Sequence, residues 1–290
     1  MVAKKIAVIG AGNMGTALLR GILASGWGSK KNLIASHPKR SKGIALASEL
    51  GITVTERNDK AAREAEIIVL AVKPQILESV LEEIRRARRR DALVISIAAG
   101  FPTSRIEAAL RGAVPVVRAM PNVAAVVRAS ATVLCAGRHA GAGHRADARR
   151  IFESIGLVVE LPEYQMDAVT GLSGSGPMYV FQILEGLSDA GVRVGLSRDV
   201  STALTVQTLI GAARMARELK THPAVLKDSV TSPGGTAIAA LHSLERNRLR
   251  AILMDAVEAA TARSKELGAA AAMPAAAARP PEDAKPSRKR

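Results

Sequence analysis

The chain has 290 residues, 48% of them apolar, so a substantial core is available, but aromatics are only 2% and that core must be aliphatic. A formal charge of +15 suits nucleic acid, an anionic membrane surface or anionic small ligands; nucleic acid is set aside because stacking platforms need aromatics, and Trp27, Phe101, Phe152, Tyr164, Tyr179 and Phe181 are scattered. No span approaches the roughly 18 apolar residues that cross a bilayer, a single Cys135 excludes an internal disulfide, and Gly10, Gly12 and Asn13 follow Lys4 and Lys5 too soon for a secretory leader, so a cytoplasmic protein without membrane contact is expected.

In chain order, apolar runs at 6–9, 33–35, 67–72 and 93–97 read as strands, with 114–118 and 132–136 as two more. Helical periodicity falls between them at 16–24, 41–50, 74–86 and 105–110. Strand, helix, strand in this order predicts a parallel, doubly wound sheet. The basic run from Arg85 to Arg90 reads as the cationic end of a helix, where it complements the dipole. A further helix over 140–155 precedes a strand at 157–160.

Beyond about residue 167 the pattern becomes helical, at 178–191, 197–218, 224–230, 236–247 and 249–267. Small residues such as Gly211, Ala212, Ala213 and Ala216 crowd these helices. Without a sheet to pack on, such helices bury their faces against a second copy. The expected organisation is an α/β Rossmann-type domain over 1–163 and an all-α dimerisation and substrate domain over 164–268. A disordered, basic Ala/Pro-rich tail is expected over 269–290, where Pro274, Pro280, Pro281 and Pro286 prevent a continuous helix.

The run Ile6-Ala-Val-Ile9 leads directly into Gly10-Ala11-Gly12-Asn13-Met14-Gly15, the G-x-G-x-x-G spacing, and then into an amphipathic helix. Gly10 permits the tight turn, Gly12 lets a pyrophosphate approach the backbone, and Gly15 lets helix and sheet pack closely. The diphosphate then rests on free N–H groups at the helix N-terminus. An NAD enzyme carries an acid roughly 20 residues further on. Here the second strand ends Ser36-His37-Pro38-Lys39-Arg40, a hydroxyl and two cations, which suits a 2′-phosphate. NADPH is the expected cofactor, with NADH the alternative.

Two Gly-rich segments interrupt the helical half: Gly171-Leu-Ser-Gly-Ser-Gly-Pro177 and Val230-Thr-Ser-Pro-Gly-Gly-Thr236. The second opens a helix with exposed N–H groups and a hydroxyl, an anion site suited to a substrate carboxylate. Together with Ala71-Val-Lys-Pro-Gln75, Ser96-Ile-Ala-Ala-Gly100 and Arg118-Ala-Met-Pro-Asn122, these segments closely resemble the pyrroline-5-carboxylate reductases, from residue 6 to about 267. The resemblance implies NADPH-dependent reduction of a cyclic imine to proline. It implies that Ser36, Lys39 and Arg40 face the adenosine phosphate, that Asn58 contacts the adenosine half, and that Ala71, Val72, Lys73, Pro74, Ile97, Ala98 and Ala99 line the nicotinamide ribose. It assigns the substrate to Ser175, Ser232, Gly234, Gly235, Thr236 and Ala237, and the assembly to an interlocked homodimer that can build a decamer. No metal is expected: His139 and His144 read as surface residues and His222 as a structural hydrogen-bonding group.

Four positions depart from the family pattern. Ala237 stands where relatives place a hydroxyl proposed to reach the ring nitrogen, Lys220 stands where some place a Glu, and Val123-Ala124 replaces Thr-Pro. Thr236 is then the candidate catalytic hydroxyl, with water or an already protonated imine as the other proton sources. A six-membered imine such as piperideine-2-carboxylate, or a non-enzymatic cofactor-binding paralogue, are the rival readings.

Overall fold

The computed structural model describes residues 4–272. Four apolar residues with every side chain buried form β1 (Ile6–Ile9). Then follow α1 (Asn13–Ala24), β2 (Leu33–Ser36), α2 (Arg40–Leu50), β3 (Thr53–Thr55), α3 (Asn58–Ala62), β4 (Ile67–Leu70), α4 (Pro74–Arg85), β5 (Leu93–Ser96), α5 (Thr103–Leu110), β6 (Val116–Met120), β7 (Ser130–Ala136), α6 (Ala142–Glu153) and β8 (Gly156–Glu160). The strands form one 8-stranded sheet in the order β3-β2-β1-β4-β5-β6-β7-β8. The order reverses direction between β1 and β4, the switch point where α/β sheets bind ligands.

The expected parallel sheet holds at every pairing but one. β6 and β7 are antiparallel, with Arg118 opposite Cys135. Their connection contains only a 3-10 turn, Val123–Val127, and a parallel crossover needs a dozen or more residues. The expected strand at 114–118 lies two residues later, because Pro115 cannot join a ladder in mid-sheet. β3 and α3 carried too few apolar residues to register a period.

Helices cover both faces. Leu18, Leu19 and Ile22 of α1 and Ile151 and Phe152 of α6 pack on Val8, Val69 and Ile95. On the other face Leu77, Leu81 and Ile84 of α4 and Ile106 of α5 pack on Ile9, Leu70 and Val94. Each such aliphatic side chain contributes about 1.5–3 kcal/mol on burial, and the core is aliphatic apart from Phe101 and Phe152.

The helical half comprises α7 (Met166–Val169), α8 (Gly176–Arg193), α9 (Arg198–Leu219), α10 (Pro223–Ser229), α11 (Thr236–Arg246) and α12 (Leu249–Ala272). The first Gly-rich segment is not a loop: Thr170–Gly174 forms a π-helical turn between α7 and α8. Gly171 allows it, because a Cβ there would lie 2.8 Å from the Val257 carbonyl of α12. α12 continues to Ala272, past the expected end at 267, since consecutive alanines are the best helix formers; the remainder of the expected tail lies outside the described residues. Met178, Phe181, Leu204, Met215, Ile252 and Met254 stand exposed on these helices, apolar surface of the kind that marks an association face.

Candidate dinucleotide and substrate site

The phosphate loop is built by three glycines with different duties. Gly10 has φ +92, and a Cβ there would meet Val72 Cγ1 at 2.6 Å and the Ala71 carbonyl at 2.8 Å. A Cβ on Gly15 would meet the Gly10 carbonyl at 2.4 Å, whereas Gly12 has nothing within 4 Å and faces open space. The first bond of α1 runs from Thr16 N–H to the Gly12 carbonyl at 2.8 Å, and Gly12 supplies no side-chain cap. The N–H groups of Asn13, Met14 and Gly15 therefore point outward without intrahelical partners. A bare, uncapped cradle of this kind fits a diphosphate.

Ser36 sits beneath this loop, 1% exposed. Its hydroxyl donates to Asn58 Oδ1 at 2.7 Å and accepts the Gly10 N–H at 3.3 Å. Asn58 Nδ2 in turn donates to Glu83 at 2.7 Å. The chain Ser36–Asn58–Glu83 thus ties the ends of β2, α3 and α4 together, and the polar groups of Ser36 and Asn58 are committed within the protein. Lys39 precedes α2 without capping it and Arg40 opens it, with no acid in that first turn. The Arg40 side chain is 81% exposed, its nearest carboxylate being Glu56 at 3.9 Å. Behind it lies an open cavity of about 480 Å³ lined by His37, Arg40, Thr55, Arg57 and Lys60 among others. Arg57 and Lys60 had no sequence signal; the β3–α3 turn brings them opposite Arg40.

The other cofactor positions gather at the carboxyl ends of β4 and β5. Ala71 N–H bonds the Ile9 carbonyl at 2.8 Å and Ile97 N–H bonds the Leu70 carbonyl at 3.1 Å. Val72 leans over Gly10, Lys73 precedes α4, and Pro74 opens it. Ala98 is buried and Ala99 half-buried beside them. The tertiary structure therefore places Gly10, Gly12, Asn13, Met14, Gly15, Ser36, Asn58, Ala71, Val72, Lys73, Pro74, Ile97, Ala98 and Ala99 at one edge of the sheet, across the switch point.

Ser175 reaches the same edge through the end of β6. Asn122 Nδ2 donates to the Ser173 carbonyl at 3.0 Å, and a Cβ on Gly174 would lie 2.7 Å from Met120 Cε. Residues 232–237 are not joined to it. Their bonds are local, such as Gly235 N–H to the Ser232 carbonyl at 3.1 Å. Among the described residues no hydrogen bond or ion pair links 220–247 to the sheet. Gly235 precedes α11 with no side chain to cap it and Thr236 is its first residue, so the N-terminal N–H groups of α11 form a second uncapped cradle. The hydroxyls of Ser175, Ser232 and Thr236 take part in none of the described hydrogen bonds, whereas those of Thr170, Ser173 and Thr231 are spent on backbone carbonyls. His222 accepts the Ala224 N–H at 3.2 Å and caps α10, the structural role its sequence position suggested.

Sequence reasoning missed Glu163. Its carboxylate accepts the Thr103 N–H at 2.8 Å and the Thr103 hydroxyl at 2.6 Å, and lies 3.4 Å from the buried Arg118 guanidinium. Beside it, burial pushes the Cys135 thiol up to about 12, with the Glu163 charge adding to the effect.

Fold and site together define a dinucleotide-dependent oxidoreductase with a separate helical domain. A family model described as NADP oxidoreductase coenzyme F420-dependent matches residues 5–100, and one described as pyrroline-5-carboxylate reductase dimerisation matches 163–267. The chain belongs to the pyrroline-5-carboxylate reductase family: it is 46% identical to the pyrroline-5-carboxylate reductase of Methanosarcina acetivorans over 91% of this chain and 98% of that one. The enzyme of Pseudomonas aeruginosa is 40% identical over 92% and 98%. Among solved structures, a pyrroline-5-carboxylate reductase from Coxiella burnetii matches with TM-score 0.86 and 37% identity over 91% and 98% of the two chains. A Plasmodium falciparum pyrroline carboxylate reductase with NADP bound matches with TM-score 0.84 and 35% identity over 92% and 99%.

Proposed function

We propose that this chain reduces 1-pyrroline-5-carboxylate, a five-membered cyclic imine bearing a carboxylate, to L-proline at the expense of NADPH. The observation that carries the reading is the pair of uncapped helix N-termini, α1 at Gly12–Gly15 and α11 at Gly235–Thr236, in a chain of this family. One suits a diphosphate and the other a carboxylate. The NADP-bound relative from P. falciparum supports the same cofactor.

The nicotinamide ring supplies the hydride when the cofactor is bound. The task of the chain is binding and orientation. The N–H groups of Asn13, Met14 and Gly15 hold the diphosphate. Lys39 and Arg40 at the start of α2 hold the 2′-phosphate as charge-assisted donors; their placement favours NADPH over NADH. Ser36 and Asn58 act by fixing the Gly10 turn rather than by offering free donors. Ala71, Val72, Lys73, Pro74, Ile97, Ala98 and Ala99 shape the wall for the nicotinamide ribose. Gly234, Gly235 and Thr236 fix the substrate carboxylate, with Ser175 and Ser232 as further hydroxyl contacts and Ala237 as an apolar neighbour. Hydride goes to the C=N carbon and a proton to the ring nitrogen. Thr236 carries the hydroxyl nearest in sequence to position 237, while a protonated imine arriving from solvent needs no donor.

The division at 163/164 is supported by the end of β8 at Glu160 and by the dimerisation match that begins at 163. The exposed apolar faces of α8, α9 and α12 fit a homodimer in which one protomer's α10–α11 turn completes its partner's site; assembly to a decamer and a cytoplasmic location are further parts of this reading. The test is NADPH oxidation with pyrroline-5-carboxylate and with piperideine-2-carboxylate. Preferred turnover of the five-membered ring is expected. Preferred turnover of the six-membered ring would replace the substrate assignment, and turnover of neither would overturn the enzyme reading.

A further inference from the structure

The turn that leaves β5 is weakly held by its own backbone. Ile97 N–H reaches the Leu70 carbonyl at 3.1 Å and Ala98 N–H the Ser96 hydroxyl at 3.3 Å, but the N–H groups of Ala99 and Gly100 donate none of the described hydrogen bonds. The far end of this turn lies against α12 and the segment that follows β8. Gly100 has φ +68, and a Cβ there would lie 3.2 Å from the backbone nitrogen of Gly268 in α12. Phe101 is 1% exposed, and Arg105 lies over its ring at 4.6 Å.

Thr103 then opens α5, and the residue before it is Pro102, which has no side chain able to accept a free helix N–H. Glu163 supplies the missing cap from 60 residues away, with one oxygen on the Thr103 N–H at 2.8 Å and the other on its hydroxyl at 2.6 Å. A carboxylate in that place also complements the helix dipole. The Arg118 side chain, 6% exposed, lies 3.4 Å from the same carboxylate and keeps it from being an isolated charge at the junction.

We infer that Glu163 is a positioning residue for the nicotinamide end of the bound dinucleotide, acting through Thr103 on the 97–100 turn. The inference rests on the reading that this turn lines the nicotinamide ribose. The turn is bounded on one side by α12, where Gly268 packs against Gly100, and on the other by the segment after β8, where Glu163 holds Thr103, and these two contacts set the height of the nicotinamide wall relative to the rest of the site. The adenosine half is independent of the clamp: Ser36, Asn58, Lys39 and Arg40 lie on β2, α3 and the start of α2, across the switch point, and none bonds to Glu163, Thr103 or Arg118 among the described residues.

This asymmetry makes a specific test. Dissociation constants of the full-length protein are measured for NADP+ and for 2′,5′-ADP, which carries only the adenosine half. Loss of a hydrogen bond to a carboxylate is expected to weaken NADP+ binding about fivefold to tenfold in Thr103→Val, with 2′,5′-ADP within about twofold of wild type. Thr103→Ser, which keeps the hydroxyl, restores NADP+ binding. Should Thr103→Val fold poorly, Glu163→Gln carries the same comparison. Parallel weakening of both ligands, or no change in either, would overturn the inference. A wild-type protein that binds neither ligand would instead overturn the dinucleotide reading beneath it.

Discussion

A Cβ at Gly10 would lie 2.6 Å from Cγ1 of Val72, so the phosphate loop and the turn after β4 are one packed unit. Gly12, two residues on, touches nothing within 4 Å of its missing Cβ. The two glycines serve different ends, fold and ligand.

Gly10→Ala therefore combines a left-handed backbone with a steric clash and is expected to cost about 2–4 kcal/mol of stability. Gly12→Ala is expected to leave stability within about 0.5 kcal/mol while weakening NADPH binding about tenfold or more, because the added methyl enters the diphosphate space. Thermal unfolding and a fluorescence titration read the two effects separately. A Gly12→Ala protein that binds NADPH normally would show that the diphosphate lies elsewhere.

Cofactor choice is placed on Lys39 and Arg40. The double substitution Lys39→Glu, Arg40→Glu removes two cations and adds two anions beside the proposed 2′-phosphate. The KM for NADPH is expected to rise about tenfold to a hundredfold, with that for NADH changed far less. Equal changes for both cofactors would remove these residues from the assignment. Arg57 and Lys60, across the cavity from Arg40, would then be the next pair to reverse.

Proton delivery is tested at Thr236 and Ala237. If the Thr236 hydroxyl donates, Thr236→Val lowers kcat by about a hundredfold or more, and Ala237→Thr in that background recovers part of the loss. An unchanged kcat in Thr236→Val excludes the hydroxyl and leaves solvent, or prior protonation of the imine, as the proton source. Thr236 is exposed and Ala237 only half-buried at the start of α11, so folding is expected to be unaffected.

Cys135 ties stability to alkaline pH. Its thiol is raised from an ordinary 9.0 to about 12, chiefly by burial. A group whose folded value is raised contributes stability that is complete below the unfolded value and is lost as pH climbs toward the folded one. Stability is expected to decline between about pH 9 and 12, and Cys135→Ala to flatten that part of the profile. Native protein should also resist alkylation by iodoacetamide at pH 8, since the buried thiol is neutral. Rapid labelling of Cys135, followed by mass spectrometry, would contradict this.

The sequence alone carried the first half of the fold because its signals are local. A strand of consecutive apolar residues, three glycines at fixed spacing and an amphipathic helix need only neighbours to declare themselves. The same holds for the α11 cradle at Gly235–Thr236, and for the lack of an acid after β2. It carried less where an element's form depends on length or a distant partner. The direction of β7 follows from the short span after β6. The π turn at Thr170–Gly174 forms because Gly171 can approach Val257, 86 positions along.

Side-chain commitments were the least legible. Ser36 and Asn58 read from sequence as free ligand contacts, yet only the folded chain brings them within 2.7 Å of each other, and a hydroxyl already given to a neighbour shapes a site more than it serves one. Glu163 and Thr103 have no shared motif, and their meeting at 2.6 Å depends on the sheet bringing the segment after β8 to the start of α5. The sequence by itself determined the dinucleotide loop, the alternation that builds the sheet and the helical second half, since each follows from spacing along the chain. Only the tertiary structure decided which polar groups remain free and which residues span the two halves. Hydrogen bonds between distant segments depend on orientation in space, which sequence periodicity does not encode.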